Sequence, residues 1–120
     1  MVVGKKYSDF KSFYPYYLTE HSNATNRLLH FTGTFILIGC LVAGIITGKW
    51  FLFVLIPVVG YGFAWVGHFF IEKNKPATFT YPLYSLASDF VMFWHILTGQ
   101  IHARIEDAKR EINSTNTINT

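Results

Sequence analysis

The sequence predicts an all-α membrane protein, with a helical hairpin of two spans, an interfacial or partly inserted third long helix and an aromatic N-terminal interfacial segment. Hydrophobic residues make up 51% of the 120 residues and charged residues only 14%, whereas about a quarter of a soluble domain is charged. The apolar residues are also concentrated, because Lys49 is the only Lys, Arg, Asp or Glu between Phe31 and Ile71. That block is long enough for two spans of about 20 residues each.

Length and charge narrow the class of protein. The length predicts one helical domain over residues 1–112, followed by a disordered polar tail over 113–120. The net charge is +3 and the cations flank the apolar block, so nucleic-acid binding is a poor interpretation. The lone Cys40 allows neither an intrachain disulfide nor a cysteine metal site, and we interpret it as a packing residue.

The N-terminal residues Lys5 to Leu18 are rich in aromatic side chains and weakly basic. This composition beside an apolar block predicts an interfacial segment with its rings at the level of the lipid headgroups. Pro15 is expected to break any helix there. We find no apolar signal-peptide core, so the first span is expected to act as its own insertion signal.

Two helices are predicted in the apolar block. The first begins near Ser22 or Asn23, which are favoured N-cap types, and ends near Thr47. The second runs from about Trp50 to Glu72, with a kink at Pro57. At about 100° per residue, each has one face of mostly small residues, and we expect these faces to pack together. The first face holds Asn26, His30, Gly33, Leu37, Cys40 and Gly44, and the second holds Gly60, Ala64, Gly67 and His68.

A third helix is predicted from Pro82, a favoured first-turn residue, to about Ile112. It follows a loop around Pro76, and its apolar first half is interrupted by Asp89 and His95. The positive-inside rule places both ends of the hairpin in the cytoplasm. We therefore expect a multi-pass protein of a bacterial inner membrane or of the endoplasmic reticulum.

Depth along the hairpin predicts a metal site. His30 lies 18 residues before Gly48 and His68 lies 20 residues after it, so the two imidazoles should meet at the same height. Glu72 lies one turn beyond His68 and Asn26 one turn before His30. Imidazole and carboxylate ligands suit Fe, Zn, Ni or Cu, and two His with one carboxylate is the pattern of non-haem Fe(II) oxygenases.

Other polar residues of the third helix are weaker candidates. Asp89 is interpreted as a metal ligand, as a partner that orients a His, or as an ordinary polar residue of the helix. His95 and His102 share a helix face that we interpret as solvated. The motifs of dinucleotide binding, NTP hydrolysis and Ser or Cys hydrolases are absent from the sequence.

Two long segments resemble the Mpo-like family of small membrane proteins: EHSNATNRLLHFTGT and GYGFAWVGHFFIEKNKPATFTYPLYSLASDF. The resemblance covers about residues 7 to 100. It implies an Fe(II)-dependent dioxygenase that uses O2 to shorten 2-hydroxy fatty acids by one carbon. The family's metal-binding His positions look like His21, His30 and His68. The accompanying positions that match are Asn26, Gly33, Glu72, Pro76, Tyr81, Pro82, Ser85 and Asp89.

The main hypothesis is therefore an Fe(II) α-dioxygenase at the membrane interface, with a 2-hydroxy fatty acid, O2 and the bilayer as partners. Its catalytic residues would be His30, His68, Glu72 and Asp89. Asn26, Glu72 and Asp89 are candidates for supporting contacts, and Arg27, Lys73 and Lys75 for holding the substrate carboxylate. Two alternatives remain at this point: a haem protein with His30 and His68 as axial ligands, and a non-catalytic membrane protein with structural His residues.

Overall fold

The structure is a computed structural model that describes residues 7–118. Over these residues it is all-helical, with five α-helices and no strand, which confirms the predicted class. Helix α3 continues as a π-helix, Gly67–Glu72, and a short 3-10 turn, Ala77–Phe79, precedes α4. The α-helices are α1 (Phe10–Thr19), α2 (Ala24–Thr47), α3 (Phe51–Val66), α4 (Pro82–Leu97) and α5 (Ile101–Ile118).

Helix α2 begins and ends where the sequence predicts. The Asn23 side chain caps it by accepting from the backbone N–H groups of Thr25 and Asn26. It ends at Gly48, whose φ of 71° is a left-handed conformation that glycine adopts without a steric penalty. This sharp stop returns the chain into α3.

Glycines set the distance between α2 and α3. Gly33 lies against Phe63 and Gly44 against Phe53, so the two helices run antiparallel along each other. A Cβ at Gly33 would approach the Cβ of Phe63 to 2.9 Å, closer than real Cβ contacts. The two predicted faces do meet, but the glycines of α2 accommodate aromatic side chains rather than other small residues.

The N-terminal aromatic segment differs from the prediction. Residues 10–19 form a helix that continues through Pro15, where a break was predicted, and the side chains of Phe13 and Tyr17 are fully buried within the protein. The reason is that α4 and α5 supply an apolar partner for α1. The core at this end of the molecule consists of Phe13, Tyr17, Leu18, Ala77, Met92, Ile101, Ile105 and Ala108.

The predicted third helix is two helices. Gly99 has a φ of 75°, and the N–H of Gln100 donates to the carbonyl of His95 at 2.8 Å, which closes the end of α4. Helix α5 then packs against α1. It stays helical to Ile118, into the part of the chain for which the sequence predicted a disordered tail, while residues 119–120 lie outside the described range.

Candidate metal centre

Three buried imidazoles meet at one end of the α2–α3 pair. His21 lies in the loop before α2, His30 in the second turn of α2, and His68 near the start of the π-helix. The Nε2 atom of His30 is 2.8 Å from Nε2 of His21 and 3.1 Å from Nε2 of His68. His30 and His68, which were predicted to lie at equal depth, are therefore in contact. His21 completes the cluster.

The other ring nitrogens of two of these residues show where their protons lie. Nδ1 of His21 is 2.6 Å from the carbonyl oxygen of Tyr17, which can only accept, so Nδ1 carries the proton. Nδ1 of His68 is 2.7 Å from Oδ1 of Asn74. The Asn74 amide donates through Nδ2 to the carbonyl of Glu20, which fixes its orientation, so His68 also holds its proton on Nδ1.

Neutral His21 and His68 thus both direct an Nε2 lone pair at His30. His30 has at most one proton on Nε2, so hydrogen bonding satisfies at most one of the two contacts. A further proton would create a buried imidazolium, and burial, followed by the neighbouring imidazoles, lowers the pKa of His21 well below its ordinary value. A metal ion held by the three His residues would resolve this conflict, because it could accept all three lone pairs.

The spacing also fits a metal ion. The three ligand atoms lie within 4.8 Å of one another. Imidazole nitrogens held about 2.1 Å from one ion in perpendicular directions are about 3 Å apart, close to the two contacts at His30. The same contacts leave no space for a porphyrin between His30 and His68, and three His linked only by hydrogen bonds would leave one lone pair unmatched, so both alternatives fit poorly.

Arg27 and Tyr17 hold the loop that carries His21. Nη1 of Arg27 donates to the carbonyls of His21 and Ser22 at 2.9 and 2.7 Å. The Tyr17 ring stacks on the His21 ring with their centroids 4.0 Å apart. Arg27 is buried by this arrangement, so its guanidinium positions a ligand loop rather than facing the cavity described below.

Glu72 does not join the imidazole cluster. Its Oε1 accepts from the backbone N–H of Asn23 at 2.6 Å and from Nδ2 of Asn26 at 3.4 Å. Unpaired N–H groups at a helix start attract carboxylates, and here they draw Glu72 to α2. The described residues that can hold a metal together are thus three His, not the two His and one carboxylate that spacing indicated.

Gly67 allows α2 and the π-helix to approach each other. A Cβ on this residue would lie 1.8 Å from Oδ1 of the fully buried Asn26. The π-helix that begins at Gly67 carries His68, and its end is marked by the positive φ of Lys73. Such π-turns are frequent at functional sites.

A cavity of about 190 Å³ borders two of the His residues and contains a carboxylate. Asp89 is hydrogen-bonded by the hydroxyl of Tyr17. Burial raises the pKa of Asp89 to about 6, against the Tyr17 hydrogen bond, which lowers it. The lining residues are Tyr17, His30, Leu37, Ile56, Pro57, Gly60, Tyr61, Ala64, Trp65, His68, Pro76, Ala77, Ser85, Leu86 and Asp89.

Other predicted residues lie elsewhere. Lys73 and Lys75 are exposed and do not border the cavity. His95 is buried, with Nδ1 2.7 Å from the Tyr14 hydroxyl, so the prediction of a solvated face is wrong for it. His102 is exposed, as that prediction requires.

Sequence reasoning missed two residues of the site. Asn74 orients His68 from a polar loop, and nothing in the spacing of that loop indicates the contact. Tyr17 was assigned to the interfacial segment, although it lies four residues before His21, a spacing at which side chains on one helix turn meet.

A sequence model of the family described as "2-hydroxy-palmitic acid dioxygenase Mpo1-like" matches residues 7–101, most of the chain and all three clustered His residues. The chain belongs to this family. A comparison with curated proteins found no match, and neither did one with solved structures. The family's description implies dioxygenase-like activity on a hydroxy fatty acid.

Proposed function

We propose that the protein is a membrane-embedded, iron-dependent dioxygenase that shortens 2-hydroxy fatty acids by one carbon. The observation that carries this proposal is the convergence of the Nε2 atoms of His21, His30 and His68, which a metal ion satisfies better than protons do. The family description supplies the reaction type and substrate class. Iron is the metal that the family resemblance implies, and imidazole ligands suit it.

The reaction balances with O2 as the only co-reactant. A 2-hydroxy acid, R–CH(OH)–COOH, and O2 give R–COOH, CO2 and water, so the bond between the first two carbons breaks and the hydroxyl-bearing carbon becomes the new carboxyl carbon. Bound iron would supply the means of activating O2 beside the substrate. The three His residues would hold the ion and leave other positions open.

Residues of the cavity would handle the polar head of the substrate. Asp89 is mostly ionised near pH 7 with a pKa of about 6, so its carboxylate can accept a proton from the 2-hydroxyl group. Tyr17 holds this carboxylate in place by its hydrogen bond. Asn74, Arg27 and Glu72 contribute indirectly, because they fix His68, the His21 loop and the start of α2.

The apolar surface of α2 and α3 supports membrane insertion. Ala24–Thr47 and Phe51–Glu72 are long and apolar enough to cross a bilayer. Only 22% and 11% of their most apolar stretches are buried, whereas a core helix of a soluble protein would be largely covered. We propose that both helices span the membrane with their outer ends in the cytoplasm, so that substrate reaches the cavity from the lipid.

Turnover of 2-hydroxypalmitate by protein purified in detergent tests the proposal. With Fe(II) under reducing conditions, we expect O2 uptake and equal amounts of pentadecanoic acid. His30→Ala should abolish turnover, while His102→Ala, which changes an exposed His of α5, should keep it. No product from the iron-loaded wild type, or equal turnover by His30→Ala, would contradict the proposal.

A further inference from the structure

The cavity is elongated along α3. It borders His68 at one end and Ile56 and Pro57 at the other. Pro57 and His68 are 11 residues apart in the sequence, which corresponds to about 16 Å along a helix. Between them the lining on α3 consists of Gly60, Tyr61, Ala64 and Trp65. Gly60 and Ala64 take up little of the space along this path.

The two ends differ in chemistry. Asp89 also lines the cavity and is hydrogen-bonded by the hydroxyl of Tyr17. Because the Tyr17 ring stacks on His21, this carboxylate lies at the end of the cavity next to the imidazole cluster. A polar group of a ligand is therefore expected at this end. The far end is lined by Leu37, Ile56 and Pro57, which offer no polar side-chain atom.

We propose that this cavity measures the acyl chain of the substrate, with the polar head beside Asp89 and the imidazole cluster and Ile56 setting the longest chain that fits. The inference rests on the proposed function, since the head must lie beside the imidazole cluster. The alkyl tail then extends past Ala64 and Gly60 toward the middle of the α2–α3 pair. Chain-length specificity is therefore built into α3.

Substitutions along α3 test this by changing the preferred chain length. Ala64→Leu places bulk one turn from His68 and should suppress turnover of 2-hydroxypalmitate while sparing much shorter 2-hydroxy acids. Ile56→Ala should move the optimum to longer acids. One helical turn, about 5.4 Å, corresponds to about four methylene groups, so a shift of up to about that size is expected. Val58→Ala, at an exposed site that does not border the cavity, should leave the profile unchanged.

Photocrosslinking tests where the acyl chain binds without requiring turnover. A 2-hydroxy acid with a terminal diazirine should crosslink on irradiation to Leu37, Ile56 or Pro57, and mass spectrometry locates the adduct. Labelling of exposed residues such as Val58, or of bilayer phospholipid only, would overturn the inference.

The two proposals fail in different ways. If the wild type turns over 2-hydroxypalmitate but Ala64→Leu and Ile56→Ala keep its chain-length profile, the acyl-chain assignment is wrong and the enzymatic proposal stands. If the tail probe labels Ile56 but no product forms under any metal condition, the binding site stands and the proposed reaction is wrong.

Discussion

The end of the molecule that carries the imidazole cluster differs from the apolar arm, which we define as residues 35–66 of α2, α3 and their turn. Around the cluster, buried polar groups are held by specific contacts, such as Asn74 to His68 and Arg27 to the His21 carbonyl. In the arm, large apolar side chains such as Phe35, Ile45 and Val58 are exposed. In the proposed function, lipid covers the arm and a metal ion binds the imidazole cluster, so each region would depend on a partner outside the chain.

The largest expected contrast is in stability. Phe13→Ala empties a fully buried position in the core under α4 and α5, and such truncations cost about 3–5 kcal/mol of unfolding free energy. Phe35→Ala changes a side chain that is 64% exposed in the arm, so a change within about 0.5 kcal/mol is expected. Unfolding in mixed micelles measures both, and equal losses would remove the distinction between the regions.

A Lys substitution in the apolar arm tests whether lipid covers the arm. Phe35 lies near the middle of α2, and a Lys at the centre of a span costs about 2.5–3.5 kcal/mol of insertion free energy. Phe35→Lys should therefore reduce membrane insertion in a translocation assay. Ile46→Lys, near the end of the same helix, should have a smaller effect because its amine can reach the interface. A wild type that does not insert, or a Phe35→Lys variant that inserts as well as the wild type, would show that lipid does not cover the arm.

A smaller effect is expected when a residue that orients one of the three His side chains is replaced. Asn74→Ala removes the acceptor for His68 Nδ1, and loss of such a partner lowers metal affinity about 10–100-fold. Lys75→Ala, next to it but exposed, is the matched control. Metal affinity from competition with a chelator measures both. An unchanged affinity for Asn74→Ala would mean that His68 is oriented by other contacts.

The sequence predicted features within one helix or between neighbouring helices better than contacts between distant segments. The ends of α2 are set by local signals, which are the N-cap residue Asn23 and the left-handed residue Gly48. The contact between His30 and His68 follows from the rise per residue of two antiparallel helices. The burial of Phe13 could not be predicted, because its ring packs against Tyr81 and Tyr84, about 70 residues further along the chain. The turn between α4 and α5 does have a signal in the sequence, since Gly99 favours the left-handed conformation observed there.

The sequence left the positions of Glu72 and Asp89 open for one reason, which is that several partners compete for each side chain in space. Glu72 has the right spacing to join His68, but the free N–H of Asn23 binds it instead. Asp89 was left with three interpretations, and the structure places it in the cavity with a hydrogen bond from Tyr17, 72 residues away in the sequence. Helical periodicity on a single element does not predict such contacts between elements.

The most direct test of the account is the metal content of the purified protein. Elemental analysis after loading with Fe(II) under reducing conditions should find about one ion per chain, the stoichiometry of a single three-imidazole site. The wild type and His102→Ala should both retain it through gel filtration, and His21→Ala, His30→Ala and His68→Ala should each lose it while remaining folded. A wild type that retains no transition metal would contradict the account. So would variants of His21, His30 and His68 that retain it fully.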